Sequence, residues 1–445
     1  MRGWYAGVRC GVSGEVFVST VVPDARALRI LAGMSSVEWP AIRARFPVAE
    51  RCVYLNTGWS GPSARATVEA MRARLEREAY DGPAALDVRH EKALLVREAR
   101  AAVASVIHAD IDEVALGYTT TEGINTVLRG LGLGAGDEVL TCNLEHNAVM
   151  VPAYMARLRD GAGLNIVRLP SDEETAATIV DAFEAAMTPR TRLLLLSHVS
   201  YNRGTRLPMR ELCAMAHARG ALVCVDAAQS AGHVPVDVRE MDCDFLALPG
   251  HKWLLAPDGA AALYVRRDLI ERLEPLAVVH GANRHYDYEG NFEPALDTVH
   301  KFELTTHSGP VLAGLVASVA MLREIGEQAI EGRCIELADR FVAGAQTIDG
   351  VRITTPLDAS VRSGIVTFTV REYGPGATTD ALWRLDRIVA RVCNDRRVRV
   401  CFHVFNDESD VDRTLAAIAR VASGGLAAGT LDEVGYREAV LDGED

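Results

Sequence analysis

Two short apolar runs in the middle of the chain end on residues able to do chemistry. Leu222 to Val225 leads into Asp226, and Phe245 to Leu248 stops just short of Gly250-His251-Lys252. Open α/β sheets place their active sites at the carboxyl ends of strands. An acid and an amine delivered this way predict one site built by residues 223–265. Lysine usage marks the amine. Of 47 basic residues, all but Lys92, Lys252 and Lys301 are arginine. Arginine can replace lysine as a surface cation but not as an amine nucleophile, because its guanidinium stays protonated. Lys252 therefore reads as a Schiff-base lysine rather than a chance surface cation.

Other stretches offer matching parts. Thr119-Thr-Thr-Glu-Gly-Ile-Asn125 joins a predicted strand to a predicted helix, so its backbone N–H groups and hydroxyls suit an anion. The same residues fit an ordinary helix cap with Glu122 in the first turn. His146 ends the Val139-Leu140 strand at the carboxyl edge of the inferred sheet, where an imidazole can move protons.

In combination, Asp226-Ala-Ala-Gln229-Ser230, Gly250-His251-Lys252-Trp253 and the Pro257-Asp258-Gly259 turn resemble the class V aminotransferases. These are pyridoxal-phosphate enzymes of fold type I, and they include cysteine desulfurases and isopenicillin N epimerase-like proteins. The resemblance runs from about Val53 to Val421. It implies a Schiff base at Lys252, Asp226 against the pyridine nitrogen, Gln229 near the ring hydroxyl and His146 stacked on the ring. It further implies a phosphate held by Thr120 and Thr121 with His251 nearby. Arg399 then clamps the substrate carboxylate. Thr306 matches a threonine that reaches the phosphate of the other subunit's cofactor, which implies a homodimer with its active site at the subunit interface. Trp59, in the entry loop, and the irregular 278–302 segment are expected to read the substrate side chain.

The departures from the family narrow the reading. Desulfurases carry a mobile loop with a persulfide-forming cysteine ahead of the clamp arginine. Here Arg391 to Arg399 is too short for that loop, and Cys393 reads as the last turn of a helix. Tyr201 stands where desulfurases place an asparagine. The resemblance therefore favours a carbon–sulfur β-lyase acting on a cysteine S-conjugate in small-molecule biosynthesis. Transamination, epimerisation, a decarboxylating or deaminating reaction and desulfuration remain alternatives. A non-catalytic regulator on the same fold is an alternative of another class.

The rest of the chain must position these groups. At 445 residues, more than one domain is expected. The expected divisions are an extension over 1–33 that is disordered or not translated, an N-terminal segment over 34–62, and a large cofactor-binding domain over 63–300. A smaller α+β domain over 301–422 and an acidic tail over 423–445 follow. Ser36 is the expected cap of a first helix. From Glu113 to Val225 strands alternate with helices, which predicts a mostly parallel sheet covered on both faces. The glycine run at 130–136 follows a helix and precedes a strand, the wrong order for a dinucleotide turn. A net charge of -13 without a basic stripe argues against nucleic acid. No apolar run reaches the roughly 20 residues of a membrane span. Nine cysteines without a C-x-x-C pair suggest reduced thiols and a cytoplasmic protein. His146, His198, His251 and His403 have no metal-ligand spacing, so no metal is expected.

Overall fold

A computed structural model describes residues 37–169, 174–394 and 396–424. The expected 1–33 extension, the Ser36 cap and the tail beyond 424 lie outside the described residues. The described residues from Trp39 onward belong to one compact unit.

A short strand, β1 (Val53–Tyr54), enters the molecule and is followed by two long helices, Arg65–Asp81 and Leu86–Val106. The central sheet has seven strands: β2 (Val114–Gly117), β3 (Glu138–Cys142), β4 (Gly163–Val167), β5 (Thr191–Ser197), β6 (Leu222–Asp226), β7 (Phe245–Pro249) and β8 (Ala261–Val265). Their spatial order is β2-β8-β7-β6-β5-β3-β4. All pairs are parallel except those made by β8, which runs antiparallel to both β2 and β7. β3 and β5 to β8 are buried along nearly their whole length, as expected of strands covered on both faces. The glycine run behaves as a helix stop. Gly130 closes the Thr120–Gly130 helix, and Gly132 and Gly136 take φ of +62° and +102° before β3 begins.

Segment 278–302, expected to be irregular, contains an antiparallel hairpin of β9 (Asn283–Tyr286) and β10 (Phe292–Pro294). Its aromatic residues point outward, Tyr288 almost wholly exposed and Phe292 64% exposed. No buried face imposed an alternation that a sequence pattern could reveal. Helices Gly309–Ile325 and Glu327–Ala345 then lead to a four-stranded sheet. Its strands are β11 (Val351–Ile353) and β12 (Ile365–Val370), then, after the separate short strand β13 (Ile388–Val389), β14 (Arg391–Cys393) and β15 (Arg397–Cys401). β13 pairs in parallel with β1, so the entry segment is stitched to this half of the molecule.

One correction falls in this sheet. Cys393 lies in β14, not in the last turn of a helix. The Pro375–Asp386 helix stops because Arg387 adopts a left-handed conformation, φ 53°, while its N–H bonds back to Leu382 and Trp383. The chain then enters β13 and β14, whose Ile388, Val389 and Val392 favour strand.

Candidate active site

The crevice at the carboxyl ends of β3, β5, β6 and β7 collects the polar residues singled out from the sequence. Asp226 ends β6 and is buried; its Oδ1 accepts the Ala228 N–H at 2.8 Å. Burial raises the Asp226 carboxyl, and the Lys252 charge opposes that rise. Lys252 lies just beyond β7 and is partly exposed. Desolvation pulls its amine down to about 8, against the opposing pull of Asp226. Arg399 and Arg391 push it the same way as burial, so both guanidiniums face this amine electrostatically.

The loop carrying Lys252 is held closely. Gly61 donates its N–H to the His251 carbonyl at 2.6 Å, and a Cβ on Gly61 would collide with the Lys252 carbonyl. Leu255 turns left-handed, φ 57°, while its N–H bonds to the Lys252 carbonyl at 3.1 Å. Trp253 is fully buried between two imidazoles, with His233 stacked at 3.7 Å and His403 at 5.5 Å between centroids. Its indole N–H donates to Gln229 Oε1, and Gln229 Nε2 donates to the Gly58 carbonyl, both at 2.8 Å. One N–H of the Gln229 amide therefore remains for a further acceptor.

His146 caps the Asn147–Asp160 helix: its Nδ1 accepts the Ala148 N–H at 3.2 Å. The neutral ring then carries its proton on Nε2. Burial first, then Lys252, Arg391 and Arg399, depress its pKa to about 4. Tyr201 meets the ring edge-on at 4.8 Å. Tyr201 also donates its hydroxyl to Asn394 at 2.5 Å.

Arg399 is 1% exposed on β15. It donates to the Tyr201 carbonyl at 2.9 Å and to Asn56 Oδ1 at 3.2 Å, while its Nε has no hydrogen-bond partner among the described residues. A buried guanidinium left with an unused donor suits an incoming carboxylate. Gly58 makes this possible, because a Cβ there would stand 3.2 Å from the Arg399 Cζ and 2.8 Å from Gln229 Oε1.

The 119–125 stretch is more finely divided than the sequence suggests. Thr119 is the cap, its hydroxyl accepting the Glu122 N–H at 3.1 Å. Thr120 opens the helix and is buried, and Thr121 is exposed. The helix lies directly on the sheet at Gly123, where a Cβ would be 3.0 Å from that of Ala247 on β7. His251 is partly exposed, its Nδ1 3.9 Å from Asp258. Thr306 is exposed and left-handed, φ 73°, an uncommon state for a β-branched residue. The segment around it rests on Tyr118, which donates to the Thr305 carbonyl at 2.7 Å and stacks on His307.

Sequence reasoning passed over Arg391. It is the direct cross-strand partner of Arg399, so both side chains leave the same face of the hairpin. Its guanidinium lies 3.4 Å over the ring of Trp59, which is 37% exposed. The pairing depends on the chain reversing between Cys393 and Arg397, which no spacing rule reveals.

The aminotransferase class-V family profile matches residues 53–414. The chain belongs to that family. A probable cysteine desulfurase of Methanothermobacter thermautotrophicus is 33% identical, covering 75% of this chain and 82% of its own length. The isopenicillin N epimerase of Streptomyces clavuligerus is 32% identical over 86% of this chain and 98% of its own length. Among solved structures, the cystine C–S lyase C-DES, in complex with its product cysteine persulfide, superposes with a TM-score of 0.78 at 26% identity. That match covers 84% of this chain and 99% of the lyase. The cysteine desulfurase CsdA of Escherichia coli gives 0.79 at 26% identity, covering 88% and 100%.

As a class V enzyme the chain has the fold-type I architecture and uses pyridoxal phosphate. Its residues fit that group: a buried acid, a lysine whose pKa is depressed, an imidazole and a helix N-terminus converge on one sheet edge. Bound there, the cofactor supplies an electron sink for a carbanion at the substrate α-carbon.

Proposed function

We propose that this enzyme is a carbon–sulfur β-lyase that releases a thiol from a cysteine S-conjugate, with pyruvate and ammonia as the other products. Lys252 takes the α-proton, and its depressed pKa leaves a usable neutral fraction near pH 8. Arg399 holds the α-carboxylate. Asp226 seats the cofactor nitrogen, His146 lies against the ring, and Thr120, Thr121 and His251 hold the phosphate. The β-carbon–sulfur bond breaks with its electron pair on sulfur, and water hydrolyses the remaining enamine to pyruvate and ammonia.

The hairpin of β14 and β15 carries this reading. Cys393 pairs directly with Arg397, and the three residues of chain between them are too few for a loop that could swing a thiol into the crevice. Both nearby thiols are buried, Cys393 at 3% and Cys401 at 0% exposure, and burial raises both above their ordinary range. Sulfur then leaves with the substrate rather than on an enzyme cysteine. The enzyme works as a homodimer in this reading, with Thr306 reaching the partner's phosphate. The strained backbone at Thr306 and the exposed aromatic β9–β10 hairpin support such an interface. The eight described cysteines are all free thiols, in keeping with a cytoplasmic setting.

The test is to supply the holoenzyme with L-cysteine, a cysteine S-conjugate and L-alanine while assaying thiol, sulfide, pyruvate, alanine and chirality. Thiol and pyruvate in equal amounts from the conjugate, without a protein persulfide, are expected. Alanine and a protein persulfide from free cysteine would replace the lyase by a desulfurase. Loss of chirality without cleavage would replace it by an epimerase.

A further inference from the structure

β3 and β5 pair only as far as Leu140 and Leu194, then diverge. Beyond that point the Ser197 N–H, at the end of β5, has no β3 backbone to meet. The Glu145 carboxylate fills the gap. Its two oxygens accept the Ser197 N–H at 3.0 and 3.1 Å, and Oε2 also accepts the Ser197 hydroxyl at 2.5 Å. The Cys142 thiol adds a contact to Oε1 at 3.4 Å. Glu145 is only 7% exposed, and every atom it grips lies at a strand end.

Those strand ends belong to the catalytic crevice. Glu145 directly precedes His146, so the tether acts one residue from the imidazole. Ser197 is the register partner of Asp226, and the next residue, His198, donates its N–H to the Asp226 carbonyl at 2.9 Å. Backbone ladders already fix Asp226 in the sheet. His146 lies beyond the last β3 residue and has no ladder to hold it; it is bonded into the helix it caps, and the Glu145–Ser197 bridge next to it ties this chain end to β5.

We propose that Glu145 is a positioning residue of this active site, holding His146 in fixed register with Asp226 by bridging the diverging ends of β3 and β5 through Ser197. The bridge is maintained across the neutral range. Burial pushes the Glu145 carboxyl up to about 7, opposed by the Ser197 bonds, with the Asp226 charge adding to the rise. Either protonation state keeps an acceptor for the Ser197 N–H.

The inference rests on the cofactor seat described above but not on which substrate is cleaved. Its readout is therefore the visible-band circular dichroism of the holoenzyme, which reports the seating of the cofactor ring without any substrate. Glu145→Ala is expected to change the sign or at least halve the intensity of that band. It should also lower kcat by about 10- to 100-fold, the usual consequence of a misplaced catalytic group. Activity is taken per bound cofactor, and KM should move by less than about threefold. Glu145→Gln keeps an acceptor for the Ser197 N–H and is expected to recover the band and most of kcat. An unchanged band and unchanged kcat in fully loaded E145A would overturn the proposal, as would an E145Q as defective as E145A. Should E145A fail to fold, Ser197→Ala removes only the hydroxyl arm. A partial loss, about 3- to 10-fold with a weaker band, is then expected, and no change in either would overturn the proposal. If the band responds as expected while no thiol or pyruvate forms, the positioning role stands and the lyase reading falls.

Discussion

The two sheets bring opposite kinds of group to one crevice. At the ends of the seven-stranded sheet, burial drives titratable groups toward their neutral forms: His146 down to about 4, Lys252 down to about 8 and Glu145 up to about 7. The four-stranded sheet brings Arg399 and Arg391, whose guanidiniums stay charged under any such burial. Groups able to move a proton and charges able to hold an anion thus stand on separate scaffolds. The second scaffold also tunes the first, since both arginines help depress Lys252 and His146.

The comparison breaks first at the base. Lys252→Ala should cost about 10³-fold in kcat, within the range for loss of a positioned general base, while substrate affinity stays within a few-fold. Steady-state kinetics alongside a substrate-binding titration would check this. A variant that lost affinity but not kcat would mean the large sheet binds rather than reacts.

A smaller effect separates the two arginines. Arg399→Ala should lower kcat/KM by about 10- to 100-fold, the worth of hydrogen bonds to a charged group. Arg391→Ala, on the partly exposed side of the hairpin, should cost only about threefold. Removing Arg391 should also move the Lys252 pKa upward, read from the acid limb of the pH–kcat/KM profile. Equal losses from the two variants would erase the distinction between a buried clamp and a rim charge.

The smallest expected effect concerns stability behind the site. His403, fully buried, donates to the Trp253 carbonyl and accepts the Val404 N–H, and burial holds its pKa down to about 4. An imidazole whose pKa is depressed on folding leaves stability intact above the unfolded value of about 6.5. As pH falls below that value the unfolded chain takes the proton first, and stability is lost until pH reaches the folded value. His403 should therefore account for about 2 kcal/mol of the stability lost between pH 7 and pH 5. Urea unfolding of His403→Asn at both pH values should show a loss smaller than that of the parent by this amount. Equal losses would mean the ring is reachable by protons in the folded state. Glu145, a buried carboxyl with a raised pKa, acts in the opposite sense over about pH 4.5 to 7, so only the difference between variant and parent is diagnostic.

Strand ends were the most legible part of the chain. Asp226, His146 and Lys252 follow apolar runs whose length and composition announce buried parallel strands, and the structure brings all three to one edge. The Thr120–Gly130 helix was equally plain, although its cap is Thr119. What stayed hidden depends on single backbone torsions and on contacts distant in sequence. Arg387 ends a helix by turning left-handed, a choice arginine does not advertise, and so the sequence alone assigns Cys393 to a helix where the structure has a strand. Glu145 reads as an ordinary polar neighbour of a histidine until its bond to Ser197, far along the chain, is seen. Arg391 gains its meaning only from standing opposite Arg399.

Only three residues separate Cys393 from Arg397, of which Asn394 and Arg396 are exposed, and they are far in sequence from the lysine, the acid and the histidine. Lengthening a surface loop is cheap, each doubling adding only about 0.6 kcal/mol of closure entropy. A dozen residues inserted there, carrying one cysteine, would leave the seven-stranded sheet and its buried groups as they are. A thiol could thus be brought to the crevice, or withheld from it, by a change in this one connection alone.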